Sequence, residues 1–184
     1  MKGTRAAIRY AKSFIDLTIE QGVLEKAYAD MNMLVDFCDE HHDFEVFIKS
    51  PVVKTHDKLS VINKLFSGKV DKVTETFLNL ITTKRREEYL LLIAKEFIRQ
   101  YKEKKNILTA IVTSASGIDD SIRKEITKIV KGDTDSEVVM EESVNEDLIG
   151  GIIIRVGDKQ VDASIARKLK NLRKDFNESP FTAN

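Results

Sequence analysis

Cysteine is almost missing from this chain. Cys38 is the one thiol in 184 residues, so an intramolecular disulfide is excluded. A lone thiol fits a reducing compartment. Proline occurs twice, at Pro51 and Pro180, and glycine eight times, which leaves room for long unbroken helices. Net charge is missing as well: 30 lysines and arginines balance 30 acidic residues. A dedicated nucleic-acid binder carries a basic excess, because phosphate contacts supply most of its affinity, so no nucleic-acid partner is expected. No apolar run reaches the ~20 residues that a membrane-spanning helix needs, so no direct membrane insertion is expected. The N-terminus carries Lys2, Arg5 and Arg9 without the apolar centre of a signal peptide, and it is read as a structural helix.

What is present is apolar periodicity. Hydrophobic residues make up 42% of the chain, enough for a core, and charged residues 33%, which suits a helix-rich shape with much solvated surface. Over residues 5–21, Ala7, Tyr10, Ala11, Phe14, Leu17 and Thr18 share one helical face, extended by Ile8, Ile15 and Ile19. That sector spans about 200°, twice the ordinary stripe, so this helix must meet more than one neighbour. A second helix is predicted from Leu24 to Glu40, and a short apolar element from Phe44 to Ile48 stops before Ser50-Pro51. A fourth helix follows, with Thr55 or Asp57 as candidate cap and Leu59, Ile62, Leu65 and Phe66 on its apolar face. The fifth carries Val73, Phe77, Leu80 and Ile81; the sixth carries Leu90, Ile93, Ala94, Phe97, Ile98 and Tyr101.

After Lys102–Asn106 the period changes. Ile107–Ser114 reads as a strand, and a helix capped by Asp119 or Asp120 carries Ile122, Ile126, Ile129 and Val130 before Gly132. Glu137–Glu141 and Ile149–Val156 read as further strands. Gly157-Asp158 makes a tight turn into Lys159-Gln160-Val161, and a last helix carries Ile165, Leu169, Leu172 and Phe176. The fold class is α+β: an N-terminal six-helix bundle over 1–105, then a smaller α/β domain over 106–184. Charge is unevenly spread in the second part, with ten acidic and four basic residues from Ile107 to Asp147 but seven basic and four acidic from Arg155 to Glu178.

No catalytic constellation survives inspection. Cys38 and His42, with His41, Asp39 and Asp43 nearby, do not supply the three or four convergent ligands of a zinc site. Asp133–Glu137 starts like a calcium loop but has Val138 and Val144 where that loop needs glycine and glutamate. Gly150-Gly151 has no following Lys-Ser or Lys-Thr, so it is not a phosphate loop; it marks a bulge or a close backbone approach. No metal, no cofactor and no catalytic residue is expected.

The segment Asp147-Leu148-Ile149-Gly150-Gly151-Ile152-Ile153-Ile154-Arg155-Val156-Gly157-Asp158, followed by Val161-Asp162-Ala163-Ser164, Leu169 and Leu172, resembles a known C-terminal signature. It belongs to the delta subunit family of F-type ATP synthases, called the oligomycin-sensitivity-conferring protein in mitochondria. Ala163 stands where that family more usually has glycine. Arg9-Tyr10-Ala11, Ser50-Pro51 with Lys58, Phe77-Leu78-Asn79-Leu80-Ile81 with Arg86 and Leu90, and Val112-Thr113-Ser114-Ala115 resemble further family segments in the same order. Lys84-Arg85 departs from the pattern, in which Asn/Lys-Gly or Asn-Lys is common there.

The resemblance implies a non-catalytic stator subunit, peripheral on the cytoplasmic face of the bacterial inner membrane, that resists rotational torque. Its implied partners are the alpha subunits of the catalytic head and the b subunits of the peripheral stalk. By the family's pattern, Tyr10, Ala11, Phe14, Phe77, Leu80 and Ile81 are the candidates for a groove between the first and fifth helices that holds an alpha-subunit N-terminus. Gly150, Gly151, Arg155, Gly157, Asp158, Asp162, Ser164, Leu169 and Leu172 are the candidates for stalk binding or for shaping the stalk-binding domain. The alternatives are a helical protein-binding adaptor unrelated to ATP synthase, a small enzyme centred on Cys38 and His42, and a nucleic-acid binder using the basic last helix.

Overall fold

The computed structural model describes residues 2–115, 117–131, 136–145 and 148–178, with side chains from residue 4 to residue 174. Gly132, the Asp133–Asp135 stretch, Asp147 and the Phe176 side chain lie outside the described residues. The chain divides into two compact units, Met1–Lys104 and Lys105–Asn184.

Among the described residues, the first unit holds six α-helices: α1 (Lys2–Glu20), α2 (Leu24–Glu40), α3 (His42–Lys49), α4 (Thr55–Phe66), α5 (Lys72–Thr83) and α6 (Leu90–Lys104). One 3-10 turn, Glu87–Tyr89, precedes α6. The buried part of α1 is Ala7, Ala11, Phe14, Ile15 and Thr18, and α1 packs mainly on α6. Thr18 enters the core because its hydroxyl donates to the Ile15 carbonyl at 2.8 Å, which satisfies it locally. Phe14 stacks on Phe77 of α5, with ring centroids 4.0 Å apart, and meets Phe97 of α6 at 5.1 Å. A second aromatic cluster joins Phe37 of α2 to Phe44 of α3 and Phe66 of α4.

Helix ends follow local chemistry. α1 closes on Gly22 (φ 67°), with the Val23 N–H donating to the Thr18 carbonyl across the left-handed residue. α5 closes in the same way, with the Arg86 N–H on the Ile81 carbonyl, but the left-handed residue there is Arg85 (φ 55°). α5 begins on Asp71, whose carboxylate accepts from the Val73 N–H at 3.0 Å. Asp30 of α2 accepts from the Asp71 N–H at 2.9 Å, which anchors that cap to a neighbouring helix. The expected cap of α4 is corrected: Thr55 is the first helical residue, Asp57 lies in the first turn, and the cap position is Lys54, with no side-chain cap bond. Asp57 contributes charge near the positive end of the helix instead.

One polar node sits in this core. Lys58 of α4 donates to the Ile48 carbonyl at 2.7 Å and to Glu87 at 2.8 Å, and the two side chains are 4% and 10% exposed. It ties α4 to the end of α3 and to the turn before α6. The partners are 10 and 29 residues away from Lys58.

The second unit comprises β1 (Ile107–Ser114), α7 (Asp120–Lys131), β2 (Glu137–Val144), β3 (Ile152–Val156), β4 (Lys159–Asp162) and α8 (Ile165–Glu178). The sheet order is β2-β1-β3-β4, with β1 and β2 parallel and the other pairs antiparallel. α7 supplies the crossover that a parallel pair requires. Val112, Ile126 and Ile154 form the centre of a small core, flanked by Ile118, Val130, Met140, Ile152 and Val156. The third strand starts at Ile152, later than the expected Ile149, and β2 runs on to Val144, beyond the expected Glu141. Gly150 and Gly151 form a bend ahead of β3. Gly151 has φ +83°, and a Cβ there would lie 2.5 Å from the Ala163 carbonyl oxygen and 2.9 Å from the Ser164 Cα. The glycine pair therefore marks a close backbone approach, one of the two roles read from the sequence. Gly157 (φ 56°) opens the two-residue turn between β3 and β4, with open space around it.

Three outcomes follow from this packing. Lys58→Met should destabilise the first unit by about 3–5 kcal/mol, because Glu87 is left buried without its cation. Urea unfolding should show that loss, and adding Glu87→Leu should recover part of it. Gly151→Ala should cost about 2–4 kcal/mol through backbone overlap and left-handed strain, against about 1–2 kcal/mol for Gly157→Ala, where only the strain applies. Thermal unfolding of the two variants should rank them in that order. Burial first, then Glu45 and Asp39, pushes the Cys38 thiol from 9.0 up to about 11. Iodoacetamide at pH 8 should label it slowly in the folded chain and quickly in denaturant. Since the unfolded thiol ionises near 9.0, Cys38 favours unfolding as pH rises from there toward 11.

Candidate functional site

The α1 sector is wider than its core. Phe14, Ala11 and Ile15 are fully buried, but each rim is uncovered: Leu17 is 38% exposed on one side, Ile8 and Ile19 are 39% and 46% exposed on the other. Beside Leu17 lies a cleft of about 340 Å³, lined by Leu17 and Gln21 of α1 and by Lys72, Val73, Thr76, Phe77 and Leu80 of α5. Leu80 is 49% exposed. The stacked pair of Phe14 and Phe77 forms the floor between the two helices, and Phe77 also lines the cleft.

The six head-binding candidates separate accordingly. Leu80 and Phe77 line the cleft. Ala11, Phe14 and Ile81 are buried and present no surface of their own, though Phe14 stacks on Phe77. Tyr10 lines a separate depression with Ala6, Arg9, Ser13 and Arg86. Leu17, Val73 and Thr76 also line the cleft and are not among the six head-binding candidates. Leu17 and Val73 carried a usable signal, since both sit at the edge of an apolar face, where a second neighbour is reached last.

The stalk-side candidates also divide. Gly150, Gly151 and Gly157 set the backbone. Asp162 accepts from the Ser164 N–H at 2.9 Å, and Ser164, which is buried, accepts from the Arg167 N–H at 3.2 Å at the start of α8. The Ser164 hydroxyl, then its N–H, hold the Asp162 carboxyl below its usual range, and Arg167 at 3.9 Å adds to this. Ile165 N–H donates to the Gly150 carbonyl and Ala163 N–H to the Ile152 carbonyl, both at 2.9 Å. This stretch is thus an anchor for the first turn of α8. Ala163 is not among the residues with positive φ, which explains why alanine is accepted in place of glycine. Arg155 and Asp158 are exposed on β3 and on the β3–β4 turn. Leu169 and Leu172 are 54% and 53% exposed on α8.

Among the described residues, no group of three or more His, Cys, Asp or Glu side chains could hold a metal ion. No helix among the described residues is long and apolar enough to cross a membrane. What the described geometry offers is apolar surface left uncovered on helices.

Comparison with known proteins finds matches over most of the chain. The family model described as ATP synthase delta (OSCP) subunit matches residues 6–176. An ATP synthase subunit delta from Cytophaga hutchinsonii is 37% identical over 178 residues, covering 97% of each chain. One from Christiangramia forsetii is 32% identical over 183 residues, covering 100% of this chain and 99% of its own. A chain of the Toxoplasma gondii mitochondrial ATP synthase hexamer shares the fold, with a TM-score of 0.73 at 21% identity, over 93% of this chain and 97% of the other. By the family model and by its relatives, this chain belongs to the ATP synthase delta (OSCP) subunit family.

Proposed function

We propose that the chain joins the catalytic head of an F-type ATP synthase to its peripheral stalk and resists rotational torque there, without taking part in chemistry. The six helices of the first unit act as one bundle, and its α1–α5 cleft holds the amphipathic N-terminal helix of an alpha subunit. The second unit engages the b subunits. In a bacterium this places the chain on the cytoplasmic face of the inner membrane, peripheral to it. The observation that supports the reading best is the cleft itself: two exposed leucines, Leu17 and Leu80, over a floor made by Phe77 stacked on Phe14. A groove between two helices with apolar walls suits a third helix read through i, i+3, i+4 and i+7 anchors.

Torque resistance needs stiffness rather than a reactive group. Phe14 is held between α5 and α6, and the Lys58 node fastens α4 to its neighbours. The groove walls are therefore backed by close-packed side chains, which transmit strain with little compression.

The test is a titration of the full chain with a synthetic alpha-subunit N-terminal peptide. Leu80→Asp and Leu17→Asp should each weaken binding by roughly tenfold or more, since each puts a charge against an apolar contact at no cost to the core. Ile19→Asp, on the opposite rim, should leave affinity unchanged. Equal binding by all three variants would remove the cleft from the interface.

A further inference from the structure

Every described side chain of α8, from Ile165 to Lys174, is exposed, including its three large apolar ones. Ile165, Leu169 and Leu172 are spaced by four and then three residues, and Phe176 continues the spacing in the sequence by four. This is the 4–3–4 step of a heptad seam. At ~100° per residue the three described residues fall within roughly 60° of one another, narrower than the stripe of a helix lying on a globular core. In heptad terms Ile165 and Leu172 occupy d positions and Leu169 an a position. Lys168 then falls at g and Arg173 at e, the two places that border the seam. Lys170 and Lys174 fall at b and f, away from it. Between Ile165 and Lys174 there are five cations and no acid.

We propose that α8 is one helix of a heteromeric two-helix coiled coil, whose partner helix carries acidic residues beside its own apolar seam. This rests on the reading of the second unit as the stalk-binding one, and it names the contact and the chemistry of the stalk segment. Charge decides the occupant. A second copy of α8 in parallel register would set Lys168 against Arg173 across the g–e′ contact, so like charges would oppose pairing. An anionic membrane would satisfy the cations, but an interfacial helix buries a broad apolar face. Here the line is narrow and is bounded directly by Lys168 and Arg173. The start of α8 is pre-set for docking: Ser164 caps it, and the Ile165 N–H is held by the Gly150 carbonyl. A fixed first turn lowers the ordering cost of association.

The experiment uses the full chain and purified b-subunit stalk segment, with two charge-matched variants, Lys168→Glu/Arg173→Glu and Lys170→Glu/Lys174→Glu. The first should weaken binding by roughly tenfold or more and flatten its salt dependence; the second should stay within about twofold. Leu169→Asp should remove most of the binding. All these side chains are exposed, and circular dichroism should report an unchanged fold. Equal losses in the two charge variants would overturn the seam in favour of a diffuse field. Unchanged affinity in both charge variants and in Leu169→Asp would show that the stalk binds elsewhere on the unit, leaving the stalk-binding reading intact. A wild-type chain with no affinity for the stalk segment would overturn both together. Sedimentation of the wild type with phosphatidylglycerol vesicles, without stalk binding, would assign the helix to a membrane surface and overturn the coiled coil.

Discussion

Phe14 lies between two other rings, 4.0 Å from Phe77 and 5.1 Å from Phe97, and this contact sets where α1 stands against α5 and α6. Burying such a ring contributes about 1.5–3 kcal/mol from area alone. Its geometric effect matters as much. With the ring filling the space between the helices, α1 and α5 cannot close over their outer edges, and Leu17 and Leu80 remain uncovered. The cleft is therefore a consequence of core packing. The same ring that stabilises the first unit stacks on Phe77, which lines the α1–α5 cleft.

The second unit solves a different problem. Its core is small, centred on Val112, Ile126 and Ile154, and leaves α8 with no buried described side chain. Rigidity at the root of α8 comes from the backbone instead. Gly151 lets the chain pass against Ala163 and Ser164, and the carbonyls of Gly150 and Ile152 receive the N–H groups of Ile165 and Ala163. One unit thus presents a groove and the other a helix. Both are apolar surfaces aimed by well-satisfied polar groups, which suits a connector.

Much of the element order was legible in the chain. The second helix, Leu24–Glu40, and the first strand, Ile107–Ser114, stand where periodicity and β-branched content put them. Gly22 ends α1 as a left-handed cap should. Misreadings arose where local cues competed with packing. Thr55 is a good cap residue by type, yet Lys54 takes the cap position and Thr55 is the first helical residue. The apolar run from Ile149 resembled a strand throughout, but φ +83° at Gly151 forces a bend before pairing begins. Arg85 adopts the left-handed conformation without being glycine, since the α5 closing bonds and its exposed position tolerate it.

The candidate groove shows the same division. Periodicity identified Phe14, Phe77, Leu80 and Ile81 as apolar-face residues, and resemblance assigned them to one surface. Which of them faces outward could not be read from periodicity, because a helical wheel knows the direction of a side chain and not the distance to the next helix. By itself the sequence determined much of the element order, the absence of an intramolecular disulfide, and the family. The depth of each apolar residue, the 29-residue reach from Lys58 to Glu87 and the uncovered line along α8 were decided by tertiary structure alone. The physical reason is that burial is a property of pairs of elements, and no single element's sequence records where its partner stops.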